Sequence, residues 1–376
     1  MADPLQYPLR FKEIIRNYSF GDRWITREFA KTGLPEGERI AETWEVCDRP
    51  GSAGAKPGES SLITSGPLAG RTLHDCVETF GERLLGREMV ERFGLRFPLL
   101  IKFLDASRVL GEQVHPNDEL TRARGLKDFW GKTEAWYMLR VRPGATVECG
   151  NRRGVTAQEL HEAILAGKSR SCMVEHAVQP GDAFLLYAGA MHYSAGGVLF
   201  YEIMQNSDIT LGLSPRPDLP PEEQARQAKL AVEAVHLEDD GDYLTRPVTL
   251  SEGPNRRTFV LACRQFAVER LDLAGSSVLG LDGRKFLIVS AIEGTVRVRA
   301  PGGDETLRPG QTAMLAAGLG QATLEPQGPA AVLKSYVPDL WADVVSPLRQ
   351  AGVSDEAIIA LGGRTRLNPL AAMLRP

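Results

Sequence analysis

Beyond residue 95 the chain is cut into short apolar runs by glycine and proline turns, and this rhythm restricts it to a mainly β architecture. FPLLIKFLDA, AWYMLRVRPGATVECG, VQPGDAFLLYAGAMH and GGVLFYEIMQ read as antiparallel strands of a sandwich or barrel. Proline and glycine at 143–145 and 180–182 stand where tight turns feed new strands. TAQELHEAILAG, residues 156–167, breaks the rhythm: Leu160, Ile164 and Leu165 fall at helical spacing and Gly167 is a helix stop. LPPEEQARQAKLAVEAV predicts a second helix over 219–235. The rhythm then returns in FAVERLDLA, RKFLIVSAIEGTVRVRA, PGQTAMLAAGLG and AAVLKSYVP. PGQTAMLAAG resembles the earlier PGDAFLLYAG, but no histidine follows it. The last stretch, DEAIIALGGRTRLNPLAAML, predicts short helical pieces.

With 376 residues, 43% of them hydrophobic, the chain can bury one large or two medium cores. Forty-four basic residues against 48 acidic ones leave a formal charge of −4, which gives no general attraction for nucleic acid or an anionic membrane. An anionic substrate must therefore be held by a local patch. The five cysteines are odd in number and widely spaced, without a CxxC pair, which points to a reducing cytoplasm. No basic segment followed by an apolar run opens the sequence, and no apolar run reaches about 18 residues, so neither secretion nor membrane insertion is expected.

The chemistry is carried by four scattered polar residues. Gln113 and His115 in GEQVHPNDE are two apart, so on an extended strand both face one side. Glu134 in GKTEAW leads into an apolar strand, where a carboxylate aimed inward needs a positive partner to offset its desolvation. His192 follows the turn and apolar run of PGDAFLLYAGAMH. Two imidazoles, a carboxylate and an amide oxygen form a mixed N/O donor set that suits Zn²⁺ or Mn²⁺, Fe²⁺ or Co²⁺. His161 lies on a predicted surface helix and is given no role. Lys132 stands two residues before Glu134, on its face if the strand starts there. Glu202, a charge inside GGVLFYEIMQ, is the first candidate for proton handling. No glycine-rich nucleotide motif follows a strand.

FPLLIKFLDASRVLGEQVHPNDE, GKTEAWYML, GDAFLLYAGAMH and LFYEIMQNSD occur in an order and spacing that resemble class I mannose-6-phosphate isomerases, members of the cupin superfamily. The resemblance is densest over residues 97–208. It implies two cupin-like β-barrel or jelly-roll domains with accessory helices. These are a catalytic cupin domain with helical elements over 1–235, a second cupin-like domain over 236–340, and a helical segment over 341–376. It further implies that Gln113, His115, Glu134 and His192 are the metal ligands and that mannose 6-phosphate and fructose 6-phosphate interconvert through an enediol. The partner is then a small sugar phosphate, with no nucleic acid or membrane, and the oligomeric state is left open.

Two positions depart from the family pattern. Gly212 stands where an arginine is usual after the NSD motif, with Arg216 the nearest arginine, and Gly111 stands where a serine is common. Arg216 and Lys132 are the candidates to compensate. The departures keep two other readings in play: an isomerase for a different sugar or sugar phosphate, and a non-catalytic cupin-like sugar-binding protein.

Overall fold

The computed structural model describes residues 3–29, 31, 34, 38–49, 59–126 and 130–374. The strands form four antiparallel sheets, and none of them closes on itself into a barrel. A six-stranded sheet runs Ile14–Arg16, Glu42–Val46, Leu99–Ala106, Val198–Gln205, Glu134–Val141, Ala183–Leu186. A five-stranded sheet runs Leu211–Gly212, Leu110–Val114, His192–Ser194, Thr146–Asn151, Met173–Ala177. The second half repeats the plan. Val248–Glu252, Asn255–Ala262, Ala267–Leu273, Ala330–Tyr336, Leu287–Glu293 and Thr312–Leu315 pair in the same chain order as the six-stranded sheet. The N-terminal strands Leu9–Lys12 and Leu62–Ile63 extend this second sheet to eight. A four-stranded sheet, Ser277–Gly280, Gln321–Pro326, Val296–Ala300, Gly303–Leu307, completes the set.

The strand Val198–Gln205 is buried along its whole length, which explains its unbroken apolar run. Its two faces nevertheless differ, because side chains alternate. Tyr201 points toward the eight-stranded sheet, where its hydroxyl meets Ser335 Oγ at 2.8 Å in the interior. Phe97 and Phe286 stack across the same boundary with centroids 5.0 Å apart. One hydrophobic cluster joins Ile101, Phe103 and Ile203 to Leu261, Ile288 and Leu333. Glu202, one step along, takes the opposite face, together with Lys102 and Trp136, its cross-strand partners.

The turns behave as the sequence predicts: Gly144 and Gly181 have φ of 79° and 93°, and Thr146–Asn151 and Ala183–Leu186 start shortly after them. The helix Ala157–Leu165 opens on a Thr156–Glu159 capping box and buries Leu160 and Ile164, while Leu165 is exposed. The helix Pro221–Ala234 packs beside it, sharing a core with Val114 and Tyr193. Three helices that the sequence reading did not anticipate, Leu73–Phe80, Glu82–Leu85 and Arg87–Phe93, follow one another before the first long strand. Gly81 and Gly86, both at positive φ, separate them into pieces too short for the periodicity to stand out. No helix among the described residues is long and apolar enough to cross a membrane.

Candidate metal centre

Glu134 opens the strand Glu134–Val141 of the six-stranded sheet, whereas His115 and His192 come from the five-stranded sheet, so the three side chains meet between the two. Register brings in the fourth. Gln113 lies directly opposite His192, and cross-strand partners project to the same face. His115 is two residues beyond Gln113, at the strand end, where Pro116 stops the ladder.

His115 Nε2 stands 3.3 Å from one oxygen of Glu134, and His192 Nε2 stands 3.3 Å from the other. All three residues are buried, and their donor atoms lie within 4.8 Å of one another. The other ring nitrogens are engaged: His115 Nδ1 donates to the carbonyl of Ile209 at 2.8 Å and His192 Nδ1 to that of Ala190 at 3.0 Å. Those bonds fix the tautomer that leaves both Nε2 lone pairs bare and aimed at Glu134. Both Nε2 atoms and both Glu134 oxygens are buried without a hydrogen-bond partner. Buried polar atoms left so cost free energy, and a cation among them satisfies all four together.

The protonation states agree with this. Burial pushes the His115 imidazole down to about 3, and burial also lowers His192, so both rings are neutral ligands near pH 7. Burial works against the charge on Glu134, but the Lys132 ammonium, 3.0 Å away, together with the facing imidazoles of His115 and His192, holds the carboxyl well below its ordinary range.

Glu202 lies on the same face of the sheet, one cross-strand step from Trp136. Trp136 Nε1 donates to Glu202 Oε1 at 2.9 Å, while Oε2 accepts no hydrogen bond. Burial, reinforced by repulsion from Glu134, pushes Glu202 up to about 7. Behind it stands Lys102, which the sequence reading passed over. Its Nζ is 3.2 Å from Glu42, 3.4 Å from Glu202 and 4.0 Å from Asp208. Burial works against its charge, but the carboxylates raise its pKa. The signal was available in FPLLIKFLDA: a lone lysine inside an apolar run needs a buried acid, and Glu202 is the matching lone acid inside GGVLFYEIMQ.

Arg216 is not brought to this cluster. It lies on the surface, held by Asp218 through bonds of 3.0 and 2.8 Å. Gly212 pairs with Gln113, and a Cβ built on it meets nothing within 4 Å, so no described side chain fills that space. Gly111 is equally open. Asn206 of the QNSD segment is structural: its amide donates to the carbonyls of Asp48 and Phe97 at 2.6 and 2.9 Å.

Comparison with known proteins places this arrangement in context. Residues 9–134 match the family model of the phosphomannose isomerase type I catalytic domain, and residues 255–336 match that of the mannose-6-phosphate isomerase cupin domain. The chain is 30% identical over 331 residues to the mannose-6-phosphate isomerase ManA of Bacillus subtilis, covering 85% of this chain and 96% of that protein. It is 28% identical to the mannose-6-phosphate isomerase of Streptococcus mutans over 79% of this chain and 87% of the relative. In fold it is similar to the crystal structure of the Bacillus subtilis mannose 6-phosphate isomerase, with a TM-score of 0.73 at 24% identity over 88% of this chain and 99% of the other. A mutant phosphomannose isomerase from Salmonella typhimurium gives a TM-score of 0.69 at 21% identity over 88% and 99%.

Proposed function

The chain belongs to the type I mannose-6-phosphate isomerase family, and we propose that it interconverts mannose 6-phosphate and fructose 6-phosphate through an enediol at the site between its first two sheets. The observation that carries the site assignment is the set of buried donors on His115, Glu134 and His192 without hydrogen-bond partners, with Glu202 on the same face of the sheet, its Oε2 accepting no hydrogen bond and lying 3.4 Å from the Lys102 ammonium. Gln113 completes the donor set by its place opposite His192. A divalent ion, Zn²⁺ in the first instance, fits these N and O donors. When bound it supplies Lewis-acid polarisation of sugar oxygens.

The protein's own groups do the rest. Glu202, anchored through Oε1 by Trp136, uses Oε2 to take the proton from one of two adjacent sugar carbons and return it to the other. A carboxyl poised near 7 both accepts and releases that proton readily. Lys102 keeps Glu202 from rising further. Lys132, fixed by Glu134, offers positive charge to the substrate. Arg216 is exposed and paired with Asp218, and we assign it only a weak, salt-screened pull on the anionic substrate. Residues 1–235 form the catalytic cupin-like unit, 236–340 a second such unit and 341–376 a helical segment. The repeated strand order supports this division, and the pairing of Leu9–Lys12 with Thr312–Leu315 laces the two units together.

The test is coupled isomerase turnover on mannose 6-phosphate with Glu202→Gln, which keeps the side-chain volume and removes the base. The expected outcome is a fall in kcat of roughly 10²–10⁴ with metal content unchanged. Near-normal kcat would sink the role of Glu202, and turnover confined to an unphosphorylated sugar would overturn the substrate.

A further inference from the structure

The repeated strand order puts the second half of the chain in direct register with the catalytic half. In the first half Glu202 lies opposite Lys102 and Trp136. In the second, the corresponding strands place Lys334 opposite Glu269 and Val289. The charge pair is retained with its signs exchanged. Two residues before Trp136 is Glu134, and two residues before Val289 is Leu287. On the facing four-stranded sheet the buried positions are Leu279, Val296, Val298, Leu307, Ala322 and Leu324, so aliphatic side chains stand where the first half has metal-donor chemistry. The space has not closed. A cavity of about 590 Å³ lies at this place, lined among others by Leu279, Leu287, Arg257, Lys334, Tyr336 and Asp343.

We propose that this cavity is a metal-independent binding site for a neutral polyhydroxylated molecule of monosaccharide size. Its volume falls within the roughly 300–1,000 Å³ of small-ligand sites. The charges beneath and around it are already matched. Glu269, fully buried, accepts from Arg257 at 2.6 and 2.9 Å and from the Tyr336 hydroxyl at 2.5 Å, and pairs with Lys334 at 2.7 Å. Lys285 and Arg284 pair with Asp343. Arg257 also reaches Glu252 and Arg284 also pairs with Asp282, so the four cations face four carboxylates and little net charge is left over for a phosphate. What the ion pairs still present is a fixed array of donors and acceptors, which suits hydroxyls that donate and accept at once. The leucines supply a surface for the C–H face of a sugar ring. Such a site is separate in position and in chemistry from the metal centre.

The test uses the full chain carrying His192→Ala, so that the first site is disabled, titrated with D-mannose and D-glucose by protein-observed NMR, with inorganic phosphate as the anionic arm. Saturable binding of a hexose is expected, with shifts confined to residues around the cavity. Leu279→Trp fills the cavity without touching the ion pairs and should weaken that binding at least about tenfold while isomerase kcat in the otherwise unaltered chain stays unchanged. Val278→Trp, at an exposed rim position, is the second variant should Leu279→Trp fail to fold. No saturable hexose binding up to roughly 100 mM, binding of phosphate instead, or hexose binding that survives the folded variants would each overturn the proposal.

Discussion

Replacing Lys102 by methionine removes the ammonium that lies within 4.0 Å of Glu42, Glu202 and Asp208, and the structure sets both the size and the pH dependence of the result. At an effective dielectric of about 20, each of the contacts to Glu42 and Glu202, at 3.2 and 3.4 Å, is worth about 5 kcal/mol before desolvation. Burying the ammonium offsets most of that, and the loss on breaking such a buried cluster is about 3–5 kcal/mol. The pH dependence follows from Glu202, whose folded pKa of about 7 lies above its ordinary 4.5. A carboxyl raised by folding adds stability below the unfolded value and loses it as pH climbs through the folded one. Without Lys102 the folded pKa rises further, so this decline continues past pH 7 in the variant after it has stopped in the parent. The destabilisation should therefore be level up to about pH 7 and then grow by up to about 1.4 kcal/mol per pH unit. Urea unfolding of metal-stripped parent and variant at pH 6, 7 and 8, followed by tryptophan fluorescence, reads both quantities. A loss below about 1 kcal/mol at pH 8, or one that shrinks as pH rises, would refute the reasoning.

Four further outcomes are expected. His115→Ala and His192→Ala should each lose bound metal together with activity in parallel metal analysis and turnover assays, whereas His161→Ala should keep both; full occupancy in the two ligand variants would remove the metal-centre assignment. Lys132→Ala should lower kcat/KM by roughly 1.5–3 kcal/mol equivalent, and Arg216→Ala by less, with a dependence on ionic strength that the Lys132 effect lacks; equal effects of both would contradict the surface placement of Arg216. Glu269 is held down to about 2 by Lys334 and Arg257 against its burial, so its contribution, up to about 3 kcal/mol, is present above pH 4.5 and lost as pH falls toward 2. Lys334 is itself lowered by burial, which trims that gain; Glu269→Gln should flatten the acid side of the stability curve in this window, as urea midpoints would show. Gly189→Ala should destabilise by about 1–3 kcal/mol in thermal unfolding, since Gly189 has φ of 92° and an added Cβ would lie 2.0 Å from a carbon of His236; an unchanged Tm would show that this turn relaxes freely.

The strands and both longer helices of the first half were legible because turn glycines and alternating or continuous apolar runs are local signals. The candidate donors were legible for a similar reason: Gln113 and His115 share a face by spacing and His192 follows a recognisable turn, and the structure gathers His115, Glu134 and His192 into one buried cluster. Lys102 was legible only in part: a lone lysine inside FPLLIKFLDA signals a buried acid, but which acids it meets, Glu42, Glu202 and Asp208, is settled by pairing between distant strands and the loop after residue 205. Arg216 shows the converse error. Nearness in sequence to Gly212 suggested a replacement for the missing arginine, but the Arg216 side chain is exposed and Asp218 captures the guanidinium locally. The rhythm of strands left sandwich and barrel both open, and the structure gives open sheets, because the same alternating pattern serves both and closure is a property of pairing between distant edges.

The pairing of Leu9–Lys12 with Thr312–Leu315 joins residues about 300 positions apart, Leu9 opposite Met314. A ribosome adding roughly 5–20 residues per second needs about 15–60 s to make that stretch, and throughout it Leu9–Lys12 has only the short strand Leu62–Ile63 to pair with, at Phe11 and Lys12. Completion of the second sheet is thus tied to synthesis of residues 312–336, while the six strands of the first sheet find their ladder partners within residues 14–205. Nascent chains stalled before residue 312 should carry a formed six-stranded sheet and a protease-sensitive amino terminus, a state in which the exposed edge invites pairing with a neighbouring chain.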